Sequence, residues 1–304
     1  MRKEFARLML EMGEKDDKLA ILAGDIGVFG LRNFRKKYPK RFYNIGICEQ
    51  SIISIASGMA IAGFIPVVHS IAPFITERCF EQIKNDFCYQ GLGGNIVSVG
   101  SAFDYAGLGC THHTYSDIAI IRCLPDSEII YPSCPKEFEV LFKQTYNNGK
   151  LTYFRLPERK HTLTLAEGQI KFGKGILVKS GSDISVIVAG PQVDNARKAS
   201  EILKNKNIDV EVIYIHTIKP IDEKLIIDSA LKTKRILTIE EGSVFGGMGA
   251  EISRVTEHLK DIEQFRQGID DRFITDYGSY DEICKKLGFD SVSIAAKIEE
   301  IVKK

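Results

Sequence analysis

The sequence predicts an α/β protein made of two three-layer domains with mostly parallel sheets. Short apolar runs with the length of buried strands alternate along the chain with amphipathic helical patterns, and this alternation stops once and then starts again. Parallel strands need long crossovers, which are usually helices. The alternation is therefore typical of sheets that are covered by helices on both faces.

The first alternation predicts a domain over 1–165. Its strands are the apolar runs at 19–27, 63–70, 95–100, 127–132 and 151–156. Between them, apolar residues at helical spacing predict helices at 51–63, 76–90 and 134–148. After Pro157 a polar, glycine-containing stretch interrupts the pattern, and we predict a domain boundary there with a linker over 166–182.

The second alternation predicts a domain over 183–304. Its strands are expected at 183–190, 210–215 and 235–242. Its helices are expected at 193–207, 221–233, 246–259 and 291–304. The total of 304 residues suits two domains of ordinary size.

The composition excludes several classes of protein. The chain has 41 Lys and Arg against 40 Asp and Glu, and a net charge of +1 provides no field to concentrate nucleic acid or an anionic membrane. The 7 cysteines show no C-x-x-C spacing, so neither disulfides nor a zinc site are indicated. The uncharged stretch 50–76 contains Pro66 and Pro73, which disfavours a membrane span. The N-terminus lacks the apolar run of a signal peptide, and we expect a cytoplasmic protein.

Glu49 is an acidic residue at the start of an otherwise apolar helical pattern. One interpretation is that its charge complements the helix N-terminus, which is worth ~0.3–1 kcal/mol. The other is that it is buried, because a desolvated carboxyl has a raised pKa and can share a proton near neutral pH. The small residues Ser54, Gly58 and Ala62 would let another helix approach, either within this domain or from a partner subunit.

A glycine-punctuated loop at 100–117 is the second candidate site. It follows a predicted buried strand, and open α/β folds bind ligands at the carboxyl ends of strands. The loop contains Asp104 and the adjacent His112 and His113. Neighbouring side chains on an extended chain point apart, so a joint metal site is disfavoured and a proton-transfer or hydrogen-bonding role is preferred. The later G-G-M-G-A-E segment lacks the spacing of a dinucleotide-binding fingerprint.

The ordered set of motifs resembles the C-terminal half of transketolase over essentially the whole chain. The motifs are Glu49 just after N-I-G-I, the F-I-T-E-R-C-F-E-Q helix, the T-H-H loop and, in the second half, V-I-V-A-G and T-I-K-P-I-D. The resemblance implies a pyrimidine-binding domain over 1–165 and a transketolase C-terminal domain over 183–304. The G-D-G motif of the family's diphosphate-binding domain is missing from the sequence.

The resemblance therefore implies one half of a split transketolase. A separate N-terminal subunit would supply the diphosphate-binding domain and hold Mg²⁺ or Ca²⁺. Thiamine diphosphate would lie between unlike chains in a heterotetramer of two α and two β subunits. The implied reaction belongs to carbohydrate metabolism and transfers a two-carbon ketol unit from a ketose to an aldose.

The resemblance also assigns cofactor contacts. Glu49 matches the catalytic carboxylate that bonds the pyrimidine ring nitrogen and so activates the cofactor. Phe74 matches a ring that stacks on the pyrimidine, and Ile71 stands where the family often has a second ring. Asp25 matches an acidic residue near the cofactor and the subunit contact.

Four residues match substrate contacts in the family. Asp104 matches a residue that contacts a substrate hydroxyl, and His112 matches a catalytic histidine near the ketose oxygen. Arg2 and Arg155 match two arginines that bind the sugar phosphate, a task that suits a planar bidentate cation.

Two departures from the family pattern concern the anion contacts. Phe103 stands where a phosphate-binding histidine is usual, and Phe29 lies close to where a phosphate-binding serine is usual. We therefore expect reduced anion binding. This motivates the hypothesis that the substrate is an unusual, modified or carrier-linked sugar.

Three alternatives stay open at this level. The β subunit of a 2-oxo acid dehydrogenase is one, and the T-H-H loop with Asp104 weighs against it. Deoxyxylulose phosphate synthase is another, although it is usually a single, longer chain. The third is a non-catalytic interaction subunit, which would have no reason to bury Glu49 beside Phe74.

Overall fold

Two mostly parallel sheets, one of seven strands and one of five, organise the chain. The structure is a computed structural model and describes residues 1–304. Helices separate most consecutive strands, as the alternating sequence pattern requires. The predicted α/β class is therefore confirmed.

The larger sheet takes six of its strands from the first half of the chain. These strands are β1 Leu19–Ala23, β2 Phe42–Asn44, β3 Ile65–Ile71, β4 Gly94–Val99, β5 Ser127–Ile130 and β6 Leu151–Leu156. The helices are α1 Arg2–Lys15, α2 Arg32–Lys37, α3 Glu49–Ile61, α4 Ala72–Thr76, α5 Phe80–Gln82, α6 Asp117–Arg122 and α7 Pro135–Thr145. The six strands run parallel in the order β5-β6-β4-β3-β1-β2. All but β2 are buried along their length, which explains their continuous apolar sequences.

The second half forms the smaller sheet. Its strands are β7 Gly175–Lys179, β8 Ile184–Ala189, β9 Val210–Ile215, β11 Arg235–Ser243 and β12 Glu263–Ile269. The short strand β10 Thr217–Lys219 follows β9 along the chain but belongs to the larger sheet. The helices are α8 Val193–Lys204, α9 Glu223–Thr233, α10 Met248–Thr256, α11 Tyr280–Lys286 and α12 Ser291–Lys303. The strand order is β12-β11-β8-β9-β7, and only the pair β7 and β9 is antiparallel.

β10 lies in the sheet of the first domain although it belongs to the second half of the chain. It pairs antiparallel with β5, with Thr217 opposite Ile130. The backbone amide of Tyr131 also donates to the carbonyl of His216 over 2.8 Å. The two domains are therefore joined by backbone hydrogen bonds as well as by side-chain packing.

The structure adds strands that the sequence pattern did not indicate. β7 lies within the segment predicted as a linker, 166–182, and it is an edge strand of the second sheet. β12 is also an edge strand, and most of its side chains are partly exposed, so neither strand carries a continuous apolar run. β2 and β10 have only 3 residues each, too few to show a period. The helix predicted over 76–90 is divided into α5 and a π-helical turn at Ile83–Cys88.

The uncharged stretch 50–76 forms most of α3, all of β3 and α4. Ile52, Ile53 and Ala56 place one face of α3 in the core. Among the helices of the structure, none combines the length and the apolarity needed to cross a membrane.

A buried ion pair lies between the two domains. Arg155, near the end of β6, is fully buried, and its Nε donates to Oδ2 of Asp117 over 2.8 Å. Its Nη2 donates to the carbonyl of Thr114 over 2.6 Å and to the carbonyl of Glu241 over 3.0 Å. Arg155 therefore connects the first sheet, the loop before α6 and strand β11 of the second domain.

Replacing Asp117 with Asn should strongly destabilise the chain. The substitution keeps the shape of the side chain but leaves Arg155 as a buried charge without a counter-charge, and breaking such a pair costs about 3–5 kcal/mol. Urea unfolding of the two proteins measures the difference. The control is Lys224→Ala, which removes an exposed pair with Asp228 and should leave the unfolding midpoint unchanged. Equal midpoints for wild type and Asp117→Asn would contradict the role given to the buried pair.

Candidate active site

The candidate site lies at the carboxyl ends of β2, β3 and β4, where open α/β sheets bind their ligands. Glu49 begins α3 shortly after β2, Phe74 lies in α4 directly after β3, and His112 lies in the loop after β4. Because parallel strands end at the same edge of a sheet, these three segments meet although they are distant in sequence.

Glu49 is buried at the start of α3, with an exposed fraction of 1%. Its Oε2 accepts a hydrogen bond from the guanidinium of Arg78 over 2.8 Å. Its Oε1 is buried and has no hydrogen-bond partner within the chain. Leaving a buried acceptor unpaired costs free energy, so this oxygen points to a ligand or a partner chain.

Phe74 is half-buried and lies between Arg78 and His112. The guanidinium carbon of Arg78 is 4.5 Å from the centroid of the Phe74 ring. The His112 ring meets Phe74 edge-on at a centroid distance of 5.1 Å. The Nδ1 of His112 is 2.9 Å from Oγ1 of Thr111, which leaves Nε2 for another contact. Glu49, Phe74 and His112 therefore belong to one continuous group of side chains.

A cavity of about 820 Å³ lies between α1 and the loop after β1. Its lining includes Arg2, Asp25, Phe29, Arg32 and His69. Arg2 donates to the hydroxyl of a tyrosine in the loop after β4, Tyr105. That tyrosine ring in turn meets the ring of His112 edge-on at 6.0 Å. The cavity is thus linked to the group around Phe74.

His69 lies near the end of β3 and is almost fully buried. Its Nδ1 is 2.7 Å from the carbonyl of Val97, so Nδ1 carries the proton and Nε2 is an acceptor at the cavity wall. Burial lowers the pKa of His69 to about 4, which keeps the ring neutral near pH 7. Gly27 passes close to this ring with a φ of +70°, and a Cβ there would lie 2.7 Å from Nε2.

Asp25 and Ile71 lie at the ends of β1 and β3. The Oδ1 of Asp25 accepts from the side-chain amide of Asn44 over 3.1 Å, and the backbone amide of Asp25 donates to Asn44 over 3.0 Å. Ile71 is buried and offers an aliphatic surface where the family often has a second ring. The cofactor contacts of these two residues stay predictions.

Asp104 is held inside its own loop region. Its Oδ2 accepts from the backbone amides of Ser101 and Glu158, over 2.8 and 2.9 Å, while its Oδ1 is buried without a partner. Burial, and next the nearby charge of Glu241, raise the pKa of Asp104 to about 7. Asp104 therefore anchors the loop, and only Oδ1 is left for the predicted contact with a substrate hydroxyl.

Arg155 and Phe103 are both buried inside the chain. The guanidinium of Arg155 is fully buried, and its Nε and Nη2 donate to Asp117 and to two backbone carbonyls. Only its Nη1, which is buried without a partner, is left for the contact with a sugar phosphate, and that contact stays a prediction. Phe103 is also fully buried and packs against the rings of Tyr280 and Phe289 in the second domain, at 5.3 and 6.0 Å. It belongs to the contact between the domains.

Basic side chains line the cavity, and Arg155 is not one of them. Arg2, Lys3 and Arg32 are all part of its wall. The guanidinium carbon of Arg32 is 4.2 Å from the ring centroid of Phe29, which is 79% exposed. Lys3 and Arg32, which lie outside the family motifs, add positive charge to that of Arg2, whose guanidinium also pairs with Glu158 over 3.1 Å. The expected reduction in anion binding stays a prediction.

Comparison with known proteins decides the family. Residues 1–162 match the pyrimidine binding domain of transketolase, and residues 173–294 match the transketolase C-terminal domain. The chain belongs to the transketolase family. A putative transketolase C-terminal section from Methanocaldococcus jannaschii is 33% identical over 310 residues, which cover 100% of this chain and 96% of that protein.

Two further proteins are similar to this transketolase chain along its full length. One of them, an apulose-4-phosphate transketolase subunit from Phocaeicola vulgatus, is 32% identical over 307 residues, which cover 100% of this chain and 97% of that protein. A solved structure described as a split gene transketolase, an inactive β4 tetramer, matches with a TM-score of 0.87 and 26% identity. The match covers 99% of this chain and 97% of that one. The resemblance noted from the sequence is confirmed.

The transketolase site fits the aminopyrimidine of thiamine diphosphate. The buried Oε1 of Glu49 lacks a partner and can share a proton with a ring nitrogen. Phe74 offers a flat apolar surface close to that carboxyl group. The G-D-G motif is absent from the sequence, so this chain offers side chains suited to the ring but not the family's diphosphate-binding motif.

The stripe of small residues on α3 faces outward. Ser54, Gly58 and Ala62 are exposed, and a Cβ added at Gly58 would meet no atom within 4 Å. Ile55 and Ile61 on the same helix are 43% and 71% exposed. The first residue of the stripe does meet another helical turn of this domain, because the hydroxyl of Ser54 donates to Oδ2 of Asp86 over 2.6 Å. At Gly58 no atom of this chain covers the stripe, and this part of the surface can contact another chain.

Two residues of the site were missed at the sequence level. Arg78 lies four residues after Phe74, a spacing that puts two side chains on one face of a helix, and this was the available signal. His69 is a polar residue inside the apolar run of a predicted buried strand, at its carboxyl end. Either feature alone occurs in many proteins without a functional role.

Two groups that suggest other ligands have structural roles in this transketolase chain. Cys134, Glu137 and His161 have donor atoms within 4.8 Å of one another. The Nε2 of His161 is 2.8 Å from Glu137, however, and the remaining polar atoms of these two side chains also have partners. The backbone amide of Gly249, in the G-G-M-G-A-E segment, donates to the carboxylate of Glu240 over 2.7 Å. This carboxylate therefore takes the position that a bound phosphate would need.

Replacing Asp104 with Asn should change how stability depends on pH. The folded carboxyl has a pKa of about 7, against an ordinary value near 3.8, so between these values the folded state holds a proton that the unfolded state has released. Wild-type stability should therefore fall as the pH rises from about 4 to about 7. Melting temperatures measured across this range should fall less steeply for Asp104→Asn. Parallel curves for the two proteins would show that Asp104 is ionised throughout.

Proposed function

We propose that this chain is the β subunit of a split, thiamine-diphosphate-dependent transketolase, which transfers a two-carbon ketol unit from a ketose to an aldose. The observation that carries the proposal is the buried Glu49, whose Oε1 is unpartnered and which lies near the ring of Phe74. Family membership supports the reaction class.

Glu49, Phe74 and His112 would each contact the cofactor or the substrate. When bound, thiamine diphosphate supplies a carbon nucleophile that attacks the ketose carbonyl. The free Oε1 of Glu49 would hydrogen-bond to the pyrimidine nitrogen and share a proton with it, and Phe74 would orient the ring. The free Nε2 of His112 is positioned to donate a proton to a substrate oxygen or to accept one.

The charged end of the sugar would lie in the cavity of about 820 Å³. Arg2 and Arg32 provide planar cations suited to a phosphate or a similar anion, and the Nε2 of His69 provides an acceptor for a hydroxyl. The relative named for apulose 4-phosphate supports a phosphorylated substrate. The hypothesis of an unusual or modified sugar stays a proposal, and a Clostridium relative named as a 6-deoxy-6-sulfo-D-fructose transketolase subunit supports it.

The partner would be an N-terminal subunit that binds the diphosphate and holds Mg²⁺ or Ca²⁺. The exposed stripe on α3, with Ile55 and Ile61, and the unpartnered Oε1 of Glu49 support a second chain at this surface. The β4 tetramer of the similar split gene transketolase is described as inactive, which supports a requirement for the α subunit. All cysteines are free, and we place the assembled enzyme in the cytoplasm.

The alternatives fit less well. A 2-oxo acid dehydrogenase subunit is disfavoured because both domains match transketolase models. Deoxyxylulose phosphate synthase is disfavoured because this chain covers only 47% of a similar protein with that name, against 96% and 97% of the two transketolase relatives. Assays with a ketose and an aldose, with pyruvate and an aldehyde, and with pyruvate and lipoamide would separate the three activities.

Glu49→Ala should abolish most activity while the subunits still assemble. Losing a positioned proton-transfer group lowers turnover by about 10²-fold or more. Ketol transfer by the reconstituted pair measures the loss, and size-exclusion chromatography measures assembly. Glu81→Ala removes an exposed acid without a partner and is the matched control. Unchanged turnover in Glu49→Ala would favour the non-catalytic interaction subunit.

Arg2→Ala should weaken substrate binding more than it slows turnover. The lost charge-assisted hydrogen bond is worth about 1.5–3 kcal/mol, so the KM for a phosphorylated ketose should rise by roughly 10- to 100-fold with little change in kcat. Steady-state kinetics of the assembled pair measure both constants. Arg35→Ala, which removes an exposed arginine outside the cavity, should change neither. A fall in kcat alone would contradict a substrate-binding role.

A further inference from the structure

Arg78 contacts both groups that the aminopyrimidine is proposed to use. Its Nη1 donates to Oε2 of Glu49 over 2.8 Å, and its guanidinium carbon is 4.5 Å from the ring centroid of Phe74. The guanidinium is planar, carries N–H donors and stacks on aromatic faces. In size, flatness and hydrogen bonding it resembles the edge of an aminopyrimidine.

The position of Arg78 conflicts with that of a bound pyrimidine. A ring that stacks on Phe74 while it hydrogen-bonds to Glu49 must lie between these two side chains. The guanidinium already contacts both side chains, at Oε2 of Glu49 and over the ring of Phe74, so a pyrimidine at the neighbouring Oε1 that stacks on Phe74 would have to displace it. Arg78 can leave this position, because its side chain is 41% exposed, whereas Glu49 is held in the helix start and is 1% exposed.

We propose that Arg78 is a specificity residue that competes with the pyrimidine ring for Glu49 and Phe74. This inference rests on the proposed thiamine diphosphate function. A ligand displaces the guanidinium only if it compensates for both of its contacts, by stacking on Phe74 and by a hydrogen bond to the carboxyl group of Glu49 at Oε1. A flat apolar compound replaces only the first contact, and an acidic or amide compound replaces only the second.

The competition also protects the carboxylate of Glu49. Without a cation or a ligand beside it, this carboxylate would be buried and unpaired, which is costly. Arg78 supplies the counter-charge until the ring arrives, so the site can be assembled from two chains without an uncompensated charge. The cost of this protection is weaker binding of the cofactor.

Arg78→Ala should therefore bind thiamine diphosphate more tightly than wild type. The contacts of a half-exposed cation with one ring and one carboxylate are worth about a tenfold change in a binding constant. The measurement is isothermal titration calorimetry of the assembled pair of subunits with thiamine diphosphate and Mg²⁺. Titration with thiamine tests whether the change follows the ring, because thiamine lacks the diphosphate that a lost positive charge would affect.

Two further variants make the test specific. Arg35→Ala removes an exposed arginine outside the site and should leave the dissociation constant unchanged. In a Glu49→Gln background the guanidinium has lost its charged partner, so the gain from Arg78→Ala should shrink. Equal gains in the two backgrounds would contradict the bridging role of Arg78.

The outcomes separate the inference from the proposed function. Tighter binding by Arg78→Ala for both ligands supports the competition. If the wild-type pair binds thiamine diphosphate and Arg78→Ala binds it equally or more weakly, Arg78 does not compete and the inference is wrong. If the wild-type pair does not bind thiamine diphosphate, the proposed function is wrong and the inference fails with it.

Discussion

The buried guanidinium of Arg155 determines how the parts of this chain are placed. It lies near the end of a central strand and donates to Asp117, to the loop before α6 and to strand β11. Each of these acceptors belongs to a different segment. A fully buried cation is costly unless it is paired and hydrogen-bonded, and the contacts of its Nε and Nη2 favour the meeting of the three segments at this point. The loop that carries His112 thus takes its position from a contact outside the candidate site.

Much of the fold could be predicted from the sequence because buried parallel strands leave a simple signal. β3, β4 and β8 are buried along their whole length, and helices with polar faces separate them. The edge strands β7 and β12 face solvent in part, and no apolar run marks them. The short β10 pairs with a strand that lies almost ninety positions earlier, and no local pattern encodes such a partner.

The candidate site was predicted less completely, and the reason is physical. Glu49 could be singled out because an acid before an apolar helix is unusual. Arg155 and Asp104 carry polar groups that suit a ligand equally well, and only the structure shows that both are engaged by backbone groups. Residue type describes the chemistry that a side chain can perform, whereas burial decides which chemistry is accessible.

The candidate site leaves unfavourable free energy that contacts with a ligand or another chain would remove. Two features of this chain are unfavourable in free energy when it is alone. One is the buried oxygen of Glu49 without a hydrogen-bond partner, and the other is the set of apolar side chains that α3 exposes to water. Both lie on the first domain, near the carboxyl ends of its strands. A surface with these properties is stabilised by association, and so the proposed catalytic group and the proposed assembly surface lie on the same part of the chain.

The pairing of β10 with β5 has a consequence for how such a protein can be divided. If the chain were cut between its two domains, the first fragment would expose β5 as a bare sheet edge, with free amides and carbonyls that can pair with other chains. The second fragment would carry a short strand without its sheet. Gene fission at this boundary would therefore favour aggregation, although each half has a sheet of its own.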